Sequence, residues 1–170
     1  VTIGEWEMDD FVNIGNAEEE EATIPNNQIW YTSKDETIIE PYYTNLFGAN
    51  IISNTYENGK GVITFDGDVT SIGRMAFVGC SNLTSMIIPK MATSIEVGAF
   101  VNCSSLTSIT IPKKVSNIGD TAFSYCSSLT SITIPEGVTS IGDSVFEGCS
   151  SLTAIYGKNA SADNRCWIED

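Results

Sequence analysis

The residues with the most chemical potential in this chain are its cysteines. Cys80, Cys103, Cys126 and Cys149 recur at a strict interval of 23 residues, and Cys166 stands out of that register. A structural zinc site takes paired ligands a few residues apart that converge tetrahedrally, whereas these thiols come one per interval in a chain without histidine. The ladder therefore reads first as reduced, buried, small apolar residues. Disulfides between neighbouring columns are the alternative, and metal binding comes last. The missing histidine also excludes Ser-His-Asp and Cys-His catalysis. Asp120, Glu136, Asp143 and Glu147 fall at turn positions of different repeats, not as a facing acid–base pair, and Asp120 and Asp143 read as caps of single helical turns. Asp66-Gly67-Asp68 has the composition of a calcium loop, but it occupies the place of a tight turn in later repeats and lacks further oxygen ligands at fixed positions. No catalytic residue, metal ligand or cofactor is assigned.

The elements that position these residues come from the same interval. Phe77, Phe100, Phe123 and Phe146 form one column and Leu83, Leu106, Leu129 and Leu152 another. Self-similarity at a period in the twenties marks a solenoid, in which each coil buries its apolar residues only against its neighbours. Within a coil, Ile132 and Ile134 alternate with Ser131 and Thr133, so a short strand turns its isoleucines inward and its hydroxyls outward, and Pro135 ends it. Val138 and Ile141 return to the core, Gly142 permits a turn, and a helical turn is expected to place Val145, Phe146 and Cys149 inside. Strands near residues 63, 86, 109, 132 and 155 are expected to stack as one parallel sheet roughly 20 Å wide. The second coil carries Ala92 and Glu96 where others have Val and Gly, so its back side is expected to be the least regular.

Residues 1–23 contain the run Glu18-Glu19-Glu20-Glu21 and read as an acidic leader or linker. Residues 24–60 read as an N-terminal cap of two β-hairpins, one turning at Ser33–Glu36 and one at Asn58-Gly59, which would cover the exposed end of the first coil. The array itself spans 61–157, and 158–170 is expected to be irregular or a truncated further repeat. The formal charge is −14, with eleven acids and one base in residues 1–50 against eleven acids and seven bases thereafter. Eight dispersed cations argue against nucleic acid as a partner. No apolar run is long enough to span a bilayer, and the N-terminus lacks the pattern of a signal peptide.

The sequence from Ile111 to Ile155, with its Ile-Pro-x-x-Val-x-x-Ile-Gly-Asp-x-x-Phe-x-x-Cys-Ser-Ser-Leu-Thr-Ser-Ile pattern, closely resembles the BspA-like class of leucine-rich repeats. The resemblance implies a leucine-rich-repeat solenoid, β-rich, with a short parallel sheet, one short strand per coil, short helical turns on the opposite side and a β-hairpin cap before it. It also implies a cell-surface or secreted location and adhesion to a protein or glycan, and it supplies no catalytic residues. The candidate partner surface is the outward face of the sheet, formed by Ser85, Ile87, Ser108, Thr110, Ser131, Thr133 and Tyr156. The alternative is a spacer whose repeats position another domain of a longer chain, a reading that the monotonous hydroxyl columns leave open.

Overall fold

The computed structural model describes residues 24–157. Its strands are β1 (Gln28–Ser33), β2 (Ile51–Glu57), β3 (Lys60–Phe65), β4 (Ser71–Ile72), β5 (Leu83–Ile87), β6 (Ser94–Ile95), β7 (Ser108–Thr110), β8 (Asn117–Ile118), β9 (Ser131–Thr133), β10 (Ser140–Ile141) and β11 (Ala154–Tyr156). The chain winds as a β-solenoid. The segments expected at residues 1–23 and 158–170 lie outside the described residues.

Each coil hydrogen-bonds to the next along three lines. On the front, β5 pairs parallel with β7 and β9 with β11, each residue opposite its counterpart one repeat on. Between them, β7 and β9 lie side by side without a hydrogen-bonded ladder. A second parallel sheet runs continuously as β4-β6-β8-β10. The anticipated irregularity of the second coil is absent there, since β6 keeps the register of its neighbours and the Glu96 N–H donates to the Ile72 carbonyl at 2.8 Å.

The third line corrects the expected helical turns: among the described residues there is no helix. Every second N–H points to the following coil instead of up its own turn. Phe77 donates to Ala99, Phe100 to Ala122 and Phe123 to Val145, at 2.8 to 3.0 Å. Two left-handed positions per coil go with this pairing. Met75, Gly98, Thr121 and Ser144 occupy the first, with φ from 53° to 65°, and Gly79, Asn102, Tyr125 and Gly148 the second, with φ from 60° to 72°. A right-handed helix cannot pass through such residues. Asp120 accordingly does not cap its own turn; its carboxylate accepts the Asp143 N–H of the next coil at 2.9 Å. Coils approach closely here, and a Cβ on Gly119 would lie 2.5 Å from the Val97 nitrogen.

The cap differs from the two expected hairpins in one respect. The Asn58-Gly59 hairpin forms between β2 and β3. The Ser33–Glu36 turn does not start a second hairpin, because β1 has no free edge to offer residues 37–39: it pairs antiparallel with β3 on one side and with β5 on the other. The sheet order β2-β3-β1-β5-β7 thus places β1, not the strand around Ile63, beside the first repeat strand. Parallel stacking on the front begins at β5. Residues 37–39 are held by side chains. The Tyr31 hydroxyl accepts the Ile39 N–H at 3.1 Å and donates to the Asn54 side-chain oxygen at 2.9 Å, while the Asn54 amide donates to the Ile39 carbonyl at 2.9 Å. Gly61, opposite Tyr31 in register, leaves room for the ring, which a Cβ would meet at 2.1 Å. Tyr31→Phe is expected to destabilise by about 1–3 kcal/mol because it leaves the buried Ile39 amide without an acceptor. Urea unfolding measures the loss, and unchanged stability would mean that the network is dispensable.

The core is one continuous column. Phe65, Phe47, Phe77, Phe100, Phe123 and Phe146 follow one another at 5.1 to 5.9 Å between ring centroids. The four repeat phenylalanines stack nearly parallel, at 9°, 1° and 11°. The residues around Phe47 also close the other two lines, through Thr70 N–H to the Phe47 carbonyl at 2.9 Å and Tyr42 N–H to the Ala76 carbonyl at 2.8 Å.

Candidate functional site on the front sheet

Alternation along each strand sorts the front sheet into two faces. Ile29, Tyr31, Ile63, Phe65, Met86 and Ile132 are buried, and Ile109 packs partly buried against the same core. The residues between them face outward. Ser85 pairs with Ser108 and Ile87 with Thr110, and Ser131 pairs with Ala154 and Thr133 with Tyr156. All seven residues anticipated for this surface therefore lie on one face. Ser108, Thr110, Ser131 and Thr133 are exposed, whereas Ser85, Ile87 and Tyr156 are half-buried.

The cap extends that face with residues that sequence reasoning missed. Ile87 lies opposite Trp30, Trp30 opposite Val62, and Val62 opposite Thr55. Trp30 sits on the central strand of the five-stranded sheet. Its indole N–H donates to the Gln28 side chain at 2.8 Å, and the Lys60 ammonium lies 4.0 Å from its ring centroid. Thr32 shares hydrogen bonds of 2.6 Å with both Thr84 and Ser85, tying the cap hydroxyls to the first coil. The alternation of Ile29, Trp30, Tyr31 and Thr32 contained the signal for an outward tryptophan. What it lacked was the position of β1 beside β5.

The charges divide by face. The outward residues of β3, β1, β5, β7, β9 and β11 include no carboxylate, and Glu57 stands at the margin opposite Lys60. Glu96, Asp120, Asp143 and Glu147 lie instead beyond the second sheet, where Tyr125 donates its hydroxyl to Glu147 at 3.1 Å. That hydrogen bond and the adjacent negative charge raise the Tyr125 pKa. Glu136 stands apart, in the turn after β9.

The other chemical candidates resolve into structure. Both Asp66 oxygens accept hydrogen bonds from Asn50, its backbone N–H and its side-chain amide, each at 2.8 Å, which lowers the Asp66 pKa and ties this turn to the residue before β2. The cysteines are free thiols, with Cys103, Cys126 and Cys149 buried and Cys80 half-buried. They do more than fill space. Each buried thiol donates to the carbonyl of the phenylalanine in the preceding coil: Cys103 to Phe77, Cys126 to Phe100 and Cys149 to Phe123, at 3.1 to 3.2 Å. Burial pushes the Cys149 thiol up to about 11 and drives Cys103 and Cys126 still higher, the latter two raised further by neighbouring thiols. Among the described residues no group of three or more His, Cys, Asp or Glu is placed to hold a metal ion, and no helix is long and apolar enough to cross a membrane.

A known family, described as the BspA type leucine rich repeat region, matches residues 49–165 in six copies. The chain belongs to the BspA-type leucine-rich repeat family. Among solved structures, this BspA-type chain is similar to a leucine-rich cell surface protein from Faecalibacterium prausnitzii, with 28% identity and a TM-score of 0.51 over 61% of this chain and 34% of that one. A leucine-rich repeat protein from Bacteroides ovatus is 32% identical, with a TM-score of 0.46 over 68% of this chain and 32% of that one. The chain thus spans about a third of the length of either relative. No curated protein matches it.

Proposed function

We propose that this BspA-type repeat chain is a non-catalytic binding module of a cell-surface or secreted protein, and that a protein or glycan partner docks on the front face at Ser85, Ile87, Ser108, Thr110, Ser131, Thr133 and Tyr156. The observation that carries the reading is the in-register outward row from Val62 through Trp30 and Ile87 to Thr110, with Thr133 and Tyr156 continuing it. Cap and coils both contribute to this surface, and it combines a tryptophan with aliphatic neighbours and hydroxyls, the composition of a central contact patch. The surface location is supported by the similarity to the Faecalibacterium cell surface protein.

The test blocks the face by bulk alone. Thr110→Cys on β7 and Ser140→Cys on β10 are exposed positions on opposite sheets, each introduced in a Cys166→Ser background and coupled to polyethylene glycol maleimide. Selective coupling is expected because three native thiols are buried and Cys80 is half-buried with its pKa pushed up to about 11. Beads displaying the protein are compared for attachment to matrix proteins, glycans and cells. The Thr110 adduct is expected to lose attachment and the Ser140 adduct to keep it. Equal attachment by both would place the site off the front sheet, and none by the unmodified protein would favour the spacer.

A further inference from the structure

We propose that the occupant of the front face is an acidic glycan, a chain of sugars bearing carboxylates or sulfates, anchored at Trp30 and Lys60; this rests on the front face being the binding surface. The chain has 22 acids, yet between β3 and β11 its front face turns none of them outward. An acidic protein repels an anion over most of its surface, so a carboxylate-free face is where one can approach. Beside the Asn58-Gly59 turn that face holds a positioned cation, opposite Glu57 in register. Lys60 lies 4.0 Å over the Trp30 ring, and the indole N–H is already engaged by Gln28, so the site offers an ammonium and an apolar ring edge together.

The margin of the face adds to this. Between residues 24 and 157 there are six bases, and three of them, Lys90, Lys113 and Lys114, lie in the turns that follow β5 and β7. The two turns are adjacent, since Lys114 Nζ reaches 3.3 Å from the Met91 sulfur of the coil before. Asp68 and Glu136, in the turns on either side, bound this basic stretch to two coils. Sugar hydroxyls find partners in Ser108 and Thr110 between the margin and the Trp30 anchor. A peptide strand would be expected to add to a sheet edge. The β1 edges are filled, and the open outer edge of the sheet at β2 carries Glu57, which favours a polymer lying across the face over an acidic strand joining it.

The experiment titrates the full chain against chondroitin sulfate and polygalacturonate, with dextran as neutral polymer and poly-glutamate as acidic polypeptide. Binding is expected for at least one acidic glycan and absent for dextran, and it should weaken as salt is raised. Which of the two binds distinguishes sulfate from carboxylate. Trp30→Ala should weaken binding about tenfold or more, and Lys60→Gln, at an exposed position, about fivefold. Failure of both acidic glycans to bind overturns the proposal; if the Thr110 adduct still blocks attachment, the face is right and the ligand class wrong. Equal binding of poly-glutamate overturns it as charge attraction alone, and so does acidic-glycan binding that neither substitution weakens.

Discussion

Replacing Phe100 with alanine is expected to lower the unfolding free energy by about 3–5 kcal/mol, the range for truncating a fully buried aromatic ring. Phe100 is fully buried and stacks on Phe77 at 5.4 Å and Phe123 at 5.3 Å, so its removal leaves a void touching two neighbouring coils. Collapse around that void is obstructed. The backbone on either side is fixed by inter-coil hydrogen bonds, Phe77 N–H to the Ala99 carbonyl and Phe100 N–H to the Ala122 carbonyl, both 2.8 Å. The rings also cannot slide together without shifting the thiol donors that hold the Phe77 and Phe100 carbonyls. Urea unfolding of parent and variant measures the effect. A loss under about 1 kcal/mol would mean that the column relaxes around the gap and is not the spine of the solenoid.

The repeat phenylalanines were legible in the sequence because each coil repeats the same local problem every 23 residues. Phe47 was not. It joins the same column from a position 30 residues before Phe77, in a cap that follows no period, so spacing gives no sign of it. The outward face was legible for the same reason that the core was: alternation fixes Ser108 and Thr110 opposite Ile109 once a strand is granted. Trp30 was hidden by topology, since β1 lies far from β5 in sequence and joins it antiparallel.

The back of each coil was misread for a physical reason. A single turn with apolar residues at i, i+1 and i+4 looks alike whether its N–H groups bond within the turn or to the next coil, and the deciding residues are the two left-handed positions. Glycine marks some of them, but Met75, Asn102, Thr121, Tyr125 and Ser144 occupy the same conformation without announcing it. These positions are held by the ladder they belong to: Met75, Asn102, Thr121 and Tyr125 each donate their N–H to the following coil. Non-local hydrogen bonding thus overrides local preference, a conflict that a reading of one repeat cannot detect.

The thiol ladder should make stability strongly sensitive to alkali, with a loss of about 5 kcal/mol between about pH 8 and pH 10 in reducing buffer. In the unfolded chain each thiol titrates from its ordinary value of 9.0, whereas burial holds Cys80 and Cys149 up to about 11 and Cys103 and Cys126 above it. A pKa raised by folding means that the native state keeps a proton which the unfolded state releases. The stabilisation is therefore complete below the unfolded value and is lost as pH climbs through it, until the folded thiols themselves ionise. Each of the four ladder thiols contributes about 1.4 kcal/mol per pH unit above its unfolded value, and across this interval the unfolded chain gains roughly one such unit. Tyr31, whose pKa burial also raises from 10.0, adds to the slope only at the upper end. Urea midpoints across this range measure the fall, and Cys126→Ala identifies its source. Deleting one of the four ladder thiols should flatten the decline by about a quarter, at the cost of the hydrogen bond to the Phe100 carbonyl at neutral pH. A decline that Cys126→Ala leaves unchanged would assign the alkaline sensitivity to groups other than the ladder, and a parent stable to pH 10 would mean that its thiols are not free to ionise on unfolding.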